Sequence, residues 1–177
     1  MSIEQPRLRG ATVGDLSAIM VLESSIFAND AWSSHSMRRE LQNPNCVYLV
    51  AVAGVRADGA ESADPDEVIG YAGLLAPRGS GEADIQTIAV APKARRSGIG
   101  GTLMRTLMHE AVARGAKELF LEVRADNPTA QRLYRELGFE EIGVRARYYQ
   151  PDDVDALVMR AHLGADLGTA AAPGDQR

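Results

Sequence analysis

The 177-residue sequence has a single cysteine, three histidines and no Gly-Lys-Ser/Thr step. Each shortage removes a class of function. Cys46 has no second cysteine to pair with and no histidine nearby in sequence, and it opens the apolar run Val47-Tyr48-Leu49-Val50. That context fits a buried strand-start thiol rather than a nucleophile. His35, His109 and His162 are scattered without ligand spacing, so no metal is expected. The absent Gly-Lys-Ser/Thr step excludes a P-loop, and a dinucleotide fingerprint begun at Gly98 would need glycine where Leu103 stands. No apolar run approaches 18 residues and no secretory pattern opens the chain, which predicts a soluble, cytoplasmic protein that does not bind membranes. Positive charge is also short. Nineteen Lys and Arg against 24 Asp and Glu leave a net charge of −5, which argues against direct nucleic-acid binding, because neutralising phosphates needs concentrated basic residues.

At this length, with 45% hydrophobic and 24% charged residues, the chain suits one mixed domain with a sizeable core. A first strand is expected over residues 7–11. A helix capped at Thr12 follows, carrying Leu16, Ile19, Met20, Leu22 and Glu23 and ending near Phe27. The turn Asn29-Asp30-Ala31-Trp32-Ser33 leads to a second short helix, capped by Ser33 or Ser34, with Met37 and Leu41 on its apolar face. Residues 47–53 and 68–76 read as a β-hairpin; the segment 54–67 between them has almost nothing to bury and is expected to be a mobile insertion. Further strands are expected at 83–90, 118–123, 139–144 and 155–159, with helices from the glycine-rich loop to Gly115 and from Pro128 to Leu137. Residues 164–177 read as a flexible, low-complexity tail after a domain spanning 1–163. No internal repeat occurs.

The most informative stretch is 84–104. An apolar run containing Ile88, Ala89 and Val90 stops at Pro92, and the loop Arg95-Arg96-Ser97-Gly98-Ile99-Gly100-Gly101 opens a helix with Ile99, Leu103, Leu107 and Ala111 at helical spacing. Unpaired N–H groups and the helix dipole favour an anion at such a start, and Gly98 and Gly100 let a phosphate approach the backbone. A tight turn with its arginines in solvent is the bland alternative.

Arg95-x-x-Gly98-x-Gly100 resembles the acyl-CoA pyrophosphate loop of the GNAT superfamily of N-acetyltransferases. Leu121-Glu122-Val123-Arg124-Ala125-Asp126-Asn127, followed by Ala130, Leu133-Tyr134 and Leu137-Gly138-Phe139, is similar to the second half of such a domain. The Trp32-Ser33 turn, the Leu-Glu-Val-Arg-x-x-Asn run and Arg147-Tyr148-Tyr149 look like the RimI type, bacterial enzymes that acetylate the N-terminal alanine of a small-subunit ribosomal protein. The resemblance spans roughly residues 7–160; the insertion at 54–67 departs from it. It implies an α+β fold, with a mixed central sheet of about six to seven strands flanked by about four helices. It also implies acetyl-CoA as co-substrate, bound by the loop 95–101, by the backbone of Ile88, Ala89 and Val90, and by Asn127 and Tyr134. The implied partner is a protein N-terminus, with the enzyme a monomer or weak dimer.

Acetyl transfer requires that a proton leave the attacking nitrogen and that one reach the departing thiolate. Glu122, mid-strand, is the candidate base, whose pKa partial burial would raise; the alternative is an exposed strand glutamate paired with Arg124. Tyr134, whose phenol has a pKa of about 10, is the candidate acid, or else a core tyrosine beside Leu133 and Leu137. Asn127 reads first as a helix cap, compatible with CoA binding. Trp32, Tyr148 and Tyr149 line a peptide groove or cover core edges. Acetylation of lysine or of a small amine, and a silent acyl-CoA-binding module, are the competing functions.

Overall fold

A computed structural model describes residues 6–54 and 66–164; most of the proposed insertion and nearly all of the tail lie outside the described residues. The chain runs β1 (Arg7–Gly10), a 3-10 turn (Val13–Asp15), α1 (Leu16–Ile26), α2 (Ser34–Gln42), β2 (Cys46–Val52), β3 (Val68–Leu75), β4 (Glu82–Val90), α3 (Ile99–Ala113), β5 (Glu118–Arg124), α4 (Pro128–Glu136), β6 (Glu140–Tyr149) and β7 (Val154–His162). One seven-stranded sheet has the order β1-β2-β3-β4-β5-β7-β6, antiparallel throughout except for β4 with β5. This is the expected α+β architecture.

Local chemistry sets most boundaries. Thr12 and Asp15 form a reciprocal capping box, in which the Thr12 hydroxyl accepts from Gly14 N and the Asp15 carboxylate accepts from Thr12 N. Ser33, rather than Ser34, caps α2 through Ser36 N. Asn127 caps α4 through Ala130 N at 3.1 Å, with Pro128 at the first helical position. On α3, Ile99, Leu103, Leu107 and Ala111 are buried as their spacing required, joined by Met104 and Met108. Each large side chain removed from water there stabilises the fold by about 1.5–3 kcal/mol. Gly73 of β3 is required by close approach, because a Cβ there would fall on the Tyr48 ring of β2. Glu23 sits on the apolar face of α1 and is only 1% exposed.

Two expectations need correction. Strand β6 does not end at Val144 but continues to Tyr149, so Arg145, Arg147, Tyr148 and Tyr149 are strand residues and not a connecting loop. Strand β7 is longer than expected at both ends. A further feature organises the site. The parallel pair β4–β5 is hydrogen-bonded only where Glu82–Asp84 meets Glu118–Phe120, and beyond that the two strands part.

Candidate active site

The parting of β4 from β5 opens a cleft of about 710 Å³. One wall is the second half of β4 with the loop into α3; the other is Leu121–Arg124 of β5, with Asn127, Leu133 and Tyr134 from α4. The end of α1 and the turn after it add Glu23, Phe27, Asp30 and Trp32.

On the loop wall, a 3-10 turn at Pro92–Ala94 follows β4, and Arg96 (φ 63°) and Gly98 (φ 82°) both take left-handed backbone before α3 begins. Left-handed backbone is easy for glycine and strained for arginine. No side chain caps α3, so its first amides have no acceptor from the cap; Thr102 N is the first to find one, at Gly98 O. A Cβ on Gly98 would meet nothing within 4 Å. The helix start is therefore open, and Arg95 and Arg96 flank it. These are the features an anionic diphosphate requires. Ser97 is the exception within the predicted loop. It does not line the cleft, and its hydroxyl is turned back to donate to Ala94 O at 2.5 Å.

On the opposite wall, β5 alternates. Leu119, Leu121 and Val123 are buried, while Phe120, Glu122 and Arg124 share the other, half-buried face. The Glu122 carboxylate does not pair with Arg124, the partner considered from sequence, but with Arg145 of β6, at 3.0 Å. Its interaction with the Tyr148 hydroxyl raises that phenol's pKa, with burial assisting. Arg124 instead binds Asp126 (2.9 Å), Asp152 (3.1 Å) and Asp30 (3.5 Å), with its guanidinium 5.1 Å from the Tyr149 ring centroid.

Tyr134 is 6% exposed, packed edge-on against Phe139 at 6.0 Å. Its hydroxyl has no hydrogen bond among the described residues, and burial, with a smaller effect of Tyr149, pushes its pKa well above the phenol range. It is therefore protonated at neutral pH, as a proton donor to a thiolate must be. Burial pushes the Tyr149 phenol up to about 12, with the Glu122 charge adding to it.

Trp32 and Tyr149 line the cleft; Tyr148 does not, being stacked edge-on against Tyr149 at 5.2 Å and directed to Glu122. Ile88, Ala89, Val90, Arg95, Arg96, Gly98, Ile99, Gly100, Gly101, Asn127 and Tyr134 all stand on its walls. Cys46 is outside it: its thiol donates to Glu40 at 3.1 Å, and burial pushes it up to about 12. That is the opposite of nucleophile activation. Among the described residues no cluster of His, Cys, Asp and Glu is placed to hold a metal, and no helix is long and apolar enough to cross a membrane.

Sequence reasoning missed Glu23 as a site residue and the role of Arg124 in linking the turn after α1 to β5 and the β6–β7 turn. For Glu23 a signal existed, since it occupies a position where α1 otherwise places apolar side chains.

The chain matches the acetyltransferase (GNAT) family over residues 16–139. It is 36% identical over 156 residues to the N-alpha-acetyltransferase RimI of Mycobacterium tuberculosis, covering 86% of this chain and 90% of that protein. An uncharacterised protein of Mycobacterium leprae is 39% identical over 152 residues; the match takes in 84% of this chain but only 38% of that protein's length. The crystal structure of the ribosomal-protein-S18-alanine N-acetyltransferase from Escherichia coli superposes with a TM-score of 0.76 at 26% identity, covering 98% of this chain and 100% of that one. The chain belongs to the acetyltransferase (GNAT) family and is an acetyl-CoA-dependent N-acetyltransferase of the RimI type.

Proposed function

We propose that the domain over residues 1–163 acetylates the N-terminal α-amine of a cytoplasmic protein, an alanine-initiated small-subunit ribosomal protein of the S18 class, acting as a monomer or weak dimer. The observation that carries this reading is the placement of Glu122 and Tyr134 on one cleft whose far wall is the open start of α3. The amides from Arg96 to Gly101 and the Arg95 side chain hold the pyrophosphate of acetyl-CoA, the backbone of Ile88 to Val90 holds its pantetheine arm, and Asn127 serves as both helix cap and CoA contact. Glu122 takes the proton of the attacking amine, directly or through a water, and Tyr134 returns one to the thiolate of CoA. Trp32 and Tyr149 border the groove for the acceptor peptide.

The acceptor chemistry supports the same reading. An α-amine of pKa about 7.7–8.0 is roughly one-tenth neutral at pH 7, whereas a lysine near 10.4 is neutral at well under a thousandth, so a single carboxylate base suffices for the former. The similarity to proteins named for acetylating the alanine of ribosomal protein S18 points the same way. The test compares kcat/KM for an Ala-initiated peptide, the same peptide with a blocked N-terminus and an internal lysine, and spermidine. The Ala-initiated peptide is expected to be the best substrate; a better blocked peptide or spermidine overturns the reading.

A further inference from the structure

Among the described residues, one buried side-chain oxygen or nitrogen has no hydrogen-bond partner: Oε2 of Glu23. Native proteins leave few such atoms, because a buried polar group without a partner has lost its water and gained nothing. A carboxylate oxygen only accepts, so what Oε2 lacks is a donor. Its twin is satisfied: Oε1 accepts from the Trp32 backbone N–H at 2.8 Å and so fixes the turn after α1. Glu23 itself is one of the residues lining the cleft, as are Phe27, Asp30, Trp32 and Tyr149.

We infer that Glu23 is an acceptor-binding residue: Oε1 fixes the Trp32 turn, while Oε2 receives a hydrogen bond from the ammonium group of the incoming acceptor before that group loses its proton. This rests on the amine-acceptor reading above. The terminal torsion of a glutamate is broad, so a small rotation presents the second oxygen to the cleft without releasing the first from its amide. Of the two reactants, only the amine is a cationic donor; the diphosphate of CoA is anionic and belongs to the opposite wall. The charged and titratable groups that act on this carboxyl are Asp30, from the same turn, and Tyr48 of β2, whose phenol feels the Glu23 charge. Burial, with Asp30 adding, holds the Glu23 carboxyl above its ordinary range, and the Trp32 N–H only partly opposes this. That is the direction for a carboxylate whose cation has yet to arrive.

Glu23→Gln tests the assignment, because the amide keeps the side chain's volume and an oxygen for the Trp32 N–H but loses the charge. Steady-state kinetics from pH 6.5 to 9.5, with a calorimetric melt, are measured on the full chain. At pH 7 the variant is expected to raise KM for an Ala-initiated peptide by about tenfold or more, the scale of a hydrogen bond to a charged group. KM for acetyl-CoA should be unchanged and the melting temperature not lowered. The defect should shrink towards pH 9.5, where an α-amine of pKa about 7.7–8.0 arrives neutral. Wild-type KM for the peptide at pH 7, a defect that does not change with pH, or equal losses in both KM values with a lowered melting temperature would each overturn the inference and leave Glu23 as a support for the turn. If the wild type prefers lysine or spermidine, the N-terminal reading fails separately. Glu23 is then judged by the same split on that amine, with the pH dependence moved up towards its higher pKa.

Discussion

Glu122 of β5 and Arg145 of β6 meet at 3.0 Å across an intervening strand, β7, which separates them in the sheet. The register makes the reach possible: Glu122 lies opposite Val158 and Arg145 opposite Ala156 on that strand. The guanidinium also lies 5.6 Å from the Tyr148 ring centroid, so ring, cation and carboxylate restrain one another. We expect Arg145→Met to lower kcat/KM for the peptide, mainly through kcat, because the carboxylate loses its fixed orientation. Stability should hardly change, since the arginine is 58% exposed and pairs of this kind contribute about 0–1 kcal/mol. A melting temperature lowered by more than about 4 °C would mark the pair as structural instead.

Glu122→Gln and Tyr134→Phe should each lower kcat by roughly 10²-fold or more, the scale of losing a general base or acid. Calorimetric titration with CoA should give nearly wild-type affinity for both variants. The tyrosine change should also leave the fold intact, because the hydroxyl it removes has no hydrogen bond to lose. Near-wild-type turnover across the pH range in both variants would return these residues to purely structural roles.

Gly98→Val should weaken CoA binding sharply. The side chain would project into the open space at the start of α3, and its backbone would be held at φ 82°. Left-handed backbone costs a non-glycine residue about 1–2 kcal/mol, which a folded domain of this size tolerates. Unchanged CoA affinity in a folded Gly98→Val protein would show that the phosphate lies elsewhere.

The Arg9–Asp15 pair sets an acid limb of stability. Asp15 accepts from Arg9 at 2.8 and 2.9 Å and from Thr12 N at 2.8 Å, and these bonds, Arg9's first, hold its carboxyl below the ordinary range. A carboxyl depressed in the folded state contributes stability that is present above its unfolded pKa of about 3.9 and lost as pH falls through the folded value. Asp15→Asn should therefore cost about 1 kcal/mol near neutrality, the scale of a cap, and flatten the dependence below pH 4 in urea titrations. An unaltered acid limb would assign that dependence to other carboxylates.

What was legible in the sequence follows from which signals are local. Caps at Thr12, Ser33 and Asn127, the α3 stripe and the glycine-rich loop all act within a few residues, and each stands where it was expected. The first half of strand β6 was expected, but its continuation escaped because every residue from Glu140 to Tyr148 is exposed, so the alternation that betrays a half-buried strand is missing from Arg145-Ala146-Arg147-Tyr148-Tyr149. The Glu122–Arg145 pair escaped for a different reason: it depends on strand order, since β7 enters the sheet between β5 and β6. Glu23 was read as part of an apolar helix face, which it is; its buried, unsatisfied oxygen depends on the packing of elements far apart in sequence.

The early end of the β4–β5 ladder leaves two strand edges facing each other inside the protein. An unpaired edge at the rim of a sheet invites another chain to add to it. Here the open edges line a cleft to which α1, α3 and α4 also contribute residues. By giving up a few rungs of hydrogen bonding the sheet gains an internal slot bordered by unpaired backbone groups, which is the surface that the proposed binding of the pantetheine arm along Ile88 to Val90 requires.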